Sequence, residues 1–366
     1  MIFYDFEVFK EDWLAVFIDV TKKKEYVIIN NPDELKALYE ANSKDIWVGY
    51  NNRHYDQYIM KGILLGMNPK RINDWIIVEK KEGWQFSSAF NKVPMINYDV
   101  MPNPPVGLKT LEGFLGSNIK ETDVDFRINR KLTKEEIEMT VFYCRHDVEE
   151  TIKVFLEKID EFNAMHGIIQ AFPDIVNLSD IGDSEARITA KVLGCSRRSF
   201  EDEFDFYFLP CLQLKKYKYV QDWFEQKRQE ALSMDLAHMD KYSKRTWYKE
   251  QGLETVVAGI PHSFGFGGVH GATATPIHKT GQLLHVDVNN YYPSMLIAWG
   301  LVTRAATNDN YPLVYNTRKA MKEKQIAAKN AGNKKEVKRW KKAQLPYKKM
   351  LNALSGAMKD ETNAAY

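Results

Sequence analysis

The stretch "IFYDFEV", residues 2–8, sets two acids into an otherwise apolar run of strand-forming residues. On a β-strand, Asp5 and Glu7 lie two positions apart and project from one face. Two carboxylates side by side on a buried strand repel each other and are costly to desolvate. A divalent cation would offset both costs. Pairs of this kind also occur on ordinary strands, so the meaning of this one depends on the rest of the chain.

Outward from it, "WLAVFIDV" (13–20) and "EYVIIN" (25–30) are further β-type runs. "NPDELKALYEAN" (31–42) predicts an amphipathic helix with Pro32 near its start, and "DIWVGY" (45–50) another strand. "YDQYIMKGILLG" (55–66) reads as a helix stopping at Gly66, with "MINYDV" (95–100) further on. A longer helix is expected from about Thr133 to Asn163, opened by Thr133 and Glu136 in capping-box spacing. Strands alternating with helices predict an α/β domain with a mixed sheet over residues 1–163.

Residues 164–280 read as a connecting region. It holds a helix in "DSEARITAKVLG" (183–194), another in "VQDWFEQKRQEALSMDLAHM" (220–239), and a glycine-rich loop in "SFGFGGVHGA" (263–272). In the last part, 281–366, "GQLLHVDVNN" (281–290) predicts a strand leading into Pro293 and a short helix. The remainder is mostly helical and basic, interrupted near "NAGN" (330–333) and at Pro346.

Composition is that of an ordinary globular chain, with 44% apolar and 27% charged residues. Cys144, Cys195 and Cys211 form no C-x-x-C pair, which argues against a disulfide framework or zinc knuckle and for a reducing, cytoplasmic setting. The N-terminus lacks signal-peptide character, and no uncharged apolar run approaches 18 residues, so no membrane partner is expected. Charge is uneven despite the net of +2. Thirteen of the 51 Lys/Arg but only two of the 49 Asp/Glu fall between Arg318 and Lys349, leaving 38 basic and 47 acidic residues elsewhere, a net of −9. A polyanion meeting the C-terminal part would account for this, as would a solvated charged helix.

Two more stations join Asp5 and Glu7. "GYNNRHYDQYI" (49–59) places Asp56 just after a strand, at the start of a helix. "FYCRHDVEET" (142–151) sets Tyr143 and Asp147 at i and i+4 on one helical face. Taken singly, Asp147 reads better as an exposed helix acid and Tyr143 as a core aromatic.

The order D-x-E, N-x-x-Y-D, Y-x-x-x-D resembles the three exonuclease motifs of DnaQ-like proofreading 3′–5′ exonucleases, and in particular those of family B DNA polymerases of the phage type. The resemblance implies an RNase H-like domain in which Asp5, Glu7, Asp56 and Asp147 hold two Mg²⁺ (or Mn²⁺) ions, roughly 4 Å apart, for phosphodiester hydrolysis. One ion would generate hydroxide from water and the other stabilise the leaving 3′-oxygen. Hard carboxylate oxygens suit these ions better than zinc. Tyr143 would orient the attacking water, and Asn52 would touch the single-stranded 3′ end. Asn51 is the rival for that role. "GLKTLEGFLG" (107–116) resembles the family's single-strand contact segment, with Leu108 in the contact position and Gly107 where Ser or Thr is usual.

Further on, "DVNNYYPS" (287–294) resembles polymerase motif A. That implies a palm metal ligand at Asp287 and a residue under the incoming sugar at Tyr292, with Asn290 and Tyr291 departing from the common Ser-Leu. "YKKMLNALSG" (347–356) resembles motif B through Lys348 and Asn352, although Ala353 and Ser355 replace the usual Ser and Tyr. Arg318 and Lys322 have the spacing of the family's phosphate-contacting pair, so the resemblance implies a dNTP held by Tyr292, Arg318, Lys322, Lys348 and Asn352. "FGFGGVHGA" (264–272) resembles the Gly-Gly loop between the two halves, with Gly267 and Gly268 facing primer–template DNA.

No Y-x-D-T-D hairpin follows Ser355, so the palm and fingers region is expected to be incomplete and the chain to be the N-terminal part of a polymerase. An exonuclease beginning at residue five further implies that the N-terminal domain of larger relatives is absent, as in smaller phage and plasmid enzymes. Two alternatives stand beside this. One is a non-catalytic DNA-binding remnant or subunit of a split polymerase, whose second chain carries the missing hairpin. The other is an RNase H-like nuclease joined to an unrelated basic helical tail.

Overall fold

The computed structural model describes residues 1–366 apart from 118–123, 197–203, 277, 279, 283, 285, 287, 289 and 361. In chain order the main elements are β1 (Ile2–Val8), β2 (Trp13–Asp19), β3 (Lys24–Ile29), α1 (Pro32–Ala41), β4 (Ile46–Gly49), α2 (Asp56–Leu64), α3 (Pro69–Asn73), β5 (Ile96–Asp99), α4 (Leu108–Leu115), α5 (Lys134–Glu157), α6 (Ile159–Ala171) and α7 (Glu185–Val192). After these come α8 (Lys218–Ser233), α9 (Lys241–Glu250), β6 (Leu253–Val257), β7 (Ile260–Gly265), β8 (Gly268–Gly271), α10 (Tyr291–Ala298), α11 (Asn310–Asn330), α12 (Lys334–Ala343) and α13 (Leu345–Ala357). The chain divides into two compact units, 1–194 with 308–356 and 195–307 with 357–366. These divisions fall at other places than the boundaries at 163 and 280 read from the sequence.

The first unit is α/β with a mixed five-stranded sheet in the order β3-β2-β1-β4-β5. β1 runs antiparallel to β2 and parallel to β4, and β5 continues the parallel side. Strand alternation gives β1 two different faces. Ile2, Tyr4, Phe6 and Val8 enter a core with Phe17, Trp47, Leu35, Ile59 and Met60, which packs α1 and α2 on that side. Each such fully buried side chain contributes roughly 1.5–3 kcal/mol. The opposite face carries Phe3, Asp5 and Glu7; Phe3 meets Phe155 of α5 edge-on at 5.3 Å. Helix α5 therefore covers the face on which the two acids stand.

The helix expected to run to Asn163 breaks at Lys158, and the reason is packing. In a straight helix Phe155 and Phe162 would be about 10 Å apart along the axis. Here their rings lie 5.1 Å apart, and both pack edge-on to Tyr98 of β5. The C-terminal helices close the unit: Asn308 and Asn310 donate to the Val192 carbonyl at 3.0 and 2.8 Å, Tyr311 donates to the Leu351 carbonyl, and Lys349 pairs with Glu185. Gly167 is required where α13 approaches, since a Cβ there would sit 2.6 Å from Pro346.

The second unit holds α8–α10 and a three-stranded antiparallel sheet, β6-β7-β8. The glycine-rich segment expected as a loop is a hairpin, with Gly265 paired to Gly268 across the turn Phe266-Gly267. It forms because Phe266 is not a solvent residue. Its ring packs against Trp247 at 5.2 Å and Phe224 at 5.4 Å, anchoring the turn in an aromatic core. The strand expected over 281–290 is not found among its described residues. Leu284 and Val286 are 86% and 79% exposed, and no neighbouring strand pairs with the described residues there. An apolar run becomes a strand only where a partner completes its ladder. The short helix after it, α10, forms as read, with Pro293 in the first turn where its missing N–H costs no helical bond. No described helix is long and apolar enough to cross a membrane.

Candidate metal centre

Strand β1 delivers Asp5 and Glu7, and α5 delivers Asp147. The contact that sets their register is Cys144, fully buried three residues before Asp147, whose Sγ lies 3.5 Å from the Asp5 carbonyl oxygen. As a result, carboxylate oxygens of Asp5, Glu7 and Asp147 lie within 4.8 Å of one another. Asp56 opens α2 and is also buried, but its Oδ1 accepts a hydrogen bond from the Phe6 N–H at 3.2 Å. It thus braces β1 between the two acids and is not a member of that group of three. Its place at a helix start is favourable for a carboxylate.

The turn that leads to Asp56 is held by Asp99, at the end of β5. Asp99 Oδ1 accepts from the Asn51 and Met101 N–H groups, each at 2.9 Å, and Oδ2 accepts from the Arg53 N–H at 3.1 Å. Sequence reasoning passed over this acid. Its signal was an Asp closing a strand that runs parallel to, and beside, the one before the turn.

Electrostatically the cluster is under load. Burial, and after it the charge of Asp147, pushes the Asp5 carboxyl up to about 7. Glu7 is raised by burial and then by Asp5, Asp147 and Asp56, while Asp56 is raised by burial and then Asp5. Asp147 is raised by burial against the opposing pull of Lys109, whose ammonium donates to Asp147 Oδ1 at 2.6 Å. All-oxygen donors, converged and short of positive charge, fit a hard divalent ion such as Mg²⁺ or Mn²⁺. Lys109, with Glu112 and His146 beside it, was not singled out from the sequence; the signal was a Lys and a Glu in i, i+3 spacing next to Leu108.

The other expected site residues are spread over both units. Tyr143 is half-buried one helical turn before Asp147. Asn52 is 0% exposed, and its amide donates to Asn97 Oδ1 at 2.8 Å and to the Tyr98 carbonyl. That ties the turn to β5. Its rival, Asn51, is half-exposed and adopts a positive φ of 58°. Leu108 is half-buried at the first position of α4. Gly267 and Gly268 are exposed at the hairpin turn.

In the first unit, Arg318 and Lys322 are half-buried on α11, and Lys322 Nζ lies 3.3 Å from Gln325 Oε1. Lys348 and Asn352 are exposed one turn apart on α13. Tyr292, 68% exposed on α10, belongs to the second unit. Asp287 lies outside the described residues. The second unit also holds a cavity of about 1560 Å³. Its lining mixes aromatic side chains such as Phe206, Phe208 and Trp299 with charged ones such as Lys244, Arg245 and Asp360. Volume alone therefore does not point to the acids; their chemistry does. Against known proteins, no family model and no curated relative matches the chain.

Proposed function

We propose that residues 1–163 form a 3′–5′ exodeoxyribonuclease domain of RNase H-like, DnaQ-like fold within a family B DNA polymerase. The observation that carries this reading is the convergence of Asp5, Glu7 and Asp147 within 4.8 Å, from two elements separated by more than a hundred residues. Asp5, Glu7 and Asp147 would hold divalent ions, whose chemistry there would be activation of water and stabilisation of charge on the departing 3′-oxygen. Asp56 keeps β1 in place and adds negative charge beside them. Tyr143 orients the attacking water through its hydroxyl. Asn51, rather than Asn52, meets the strand being shortened, with Leu108 against the terminal base.

Purified chain incubated with 5′-labelled single-stranded DNA and Mg²⁺ is expected to shorten it from the 3′ end. The Asp5→Ala, Glu7→Ala double variant should lose at least about 100-fold of that rate, since even outer-shell partners of metal ligands commonly cost 10–100-fold. Equal degradation by both proteins, or none by either in Mg²⁺ or Mn²⁺, overturns the assignment.

The polymerase half belongs to the same proposal. By the motif resemblance, Asp287 would ligate a palm metal, Tyr292 would lie under an incoming sugar, Arg318, Lys322 and Lys348 would contact nucleotide phosphates, and Asn352 would serve nucleotide binding. Gly267 and Gly268 would face the primer–template. The reading as a DNA-binding subunit shares the observation that exposed Lys and Arg cluster on α12. It predicts DNA binding without shortening in the same assay.

A further inference from the structure

Lys109 stands in the first turn of α4, and its Nζ donates to Asp147 Oδ1 at 2.6 Å. The same nitrogen lies 3.4 Å from Glu112 Oε1, three residues further along the helix. Glu112 is the unexpected residue. It is 0% exposed, yet neither of its carboxylate oxygens has a hydrogen-bond partner. His146 Nε2, 3.7 Å from Glu112 Oε2, has none either. A buried carboxylate in that condition is expensive unless some other state of the protein satisfies it.

Asp147 is shared between this arrangement and the Asp5–Glu7–Asp147 group, so an ammonium and a divalent ion compete for the same carboxylate. We propose that Lys109 is a two-position internal cation. It neutralises Asp147 while the centre is free of ions, and withdraws onto Glu112 when a divalent ion takes Asp147. This rests on the metal-centre reading above and adds a coupling residue to it. The unsatisfied Glu112 is the receiving position, less than an ångström beyond hydrogen-bond reach by the usual 2.7–2.9 Å for such pairs. Without it, loading would leave a partly buried ammonium facing a divalent cation with no counter-charge.

Glu112, His146 and Asp147 also have donor atoms within 4.8 Å of one another. An imidazole–carboxylate ion site is therefore the competing use of the same residues. The Lys109 ammonium, bonded to Asp147 and close to Glu112, already supplies the positive charge there, which favours the internal-cation reading.

The test is Mn²⁺ titration of the full chain, followed by electron paramagnetic resonance, at fixed mildly alkaline pH. Lys109→Met should tighten binding about five- to tenfold, the lower range of ordinary coupling between sites. Glu112→Gln should weaken it by a similar factor, and the double variant should bind like Lys109→Met, because Glu112 acts only through the ammonium. If Glu112→Gln does not fold, Lys109→Arg, which keeps the charge, must bind like wild type while Lys109→Met binds tighter. Unchanged or weaker binding in Lys109→Met overturns the inference, as does a Glu112→Gln effect that persists in the double variant. An extra Mn²⁺ equivalent that appears in Lys109→Met and vanishes in the double variant would assign the trio as an ion site instead. Failure of wild type to bind Mn²⁺ at all would defeat the metal-centre reading, a result separable from the other outcomes.

Discussion

Asp5 alternates along β1 with the buried rings of Tyr4 and Phe6, and its carboxyl is pushed up to about 7 where 3.8 is ordinary. Below about pH 7 the ion-free folded chain therefore favours Asp5 protonated. Its contribution to stability is complete below about pH 4 and is lost as pH rises to about 7, where the folded form must release a proton that the unfolded form gave up earlier. Glu7 and Asp56 are shifted the same way and deepen the loss. Without divalent ions at pH 8, Asp5→Asn should raise stability by about 1–3 kcal/mol, with little change near pH 4 and the order reversed in saturating Mg²⁺. Thermal unfolding with and without chelator at the two pH values checks this. A variant less stable than wild type in chelator at pH 8 would mean that the acids are not under electrostatic load.

At the scale of elements, the site depends on α5 starting where it does. Thr133 Oγ1 accepts from the Glu136 N–H at 3.2 Å, and Glu136 returns the bond to the Thr133 N–H at 2.7 Å. Arg130 grips the same carboxylate with two hydrogen bonds and holds it down at about 2. Thr133→Ala should cost about 1 kcal/mol in denaturant unfolding; an unchanged midpoint would show that α5 is fixed by its packing alone. This cap was readable in the sequence, as were β1 to β4, α1, α2 and α7, because each had its own local periodicity and stop signals. The break at Lys158 was not readable, since it answers to Tyr98 on a distant strand. The hairpin at 260–271 was hidden for the same reason: glycines suggested a loop, while the fate of Phe266 was decided by Trp247 and Phe224.

For the molecule as a whole, the acids that meet were legible as residue types at suggestive spacings, and three of the four share one cluster. The sequence could not say that Asp56 would spend an oxygen on the Phe6 N–H, or that Asn52 would turn into the core and leave Asn51 outside. Nor could it place Lys109 against Asp147, because a cation among acids is a matter of three-dimensional neighbours. Charge separation along the chain was plain from composition, and the basic helices α11 and α12 stand within the same compact unit as the acidic cluster. That juxtaposition of basic helices and acids in one unit is what the proposed nuclease reading uses. The most direct measurement is anomalous X-ray scattering from crystals of the chain soaked in Mn²⁺. Manganese density bonded to Asp5, Glu7 and Asp147 is the predicted result. Those three carboxylates left bare at saturating Mn²⁺ would contradict the account.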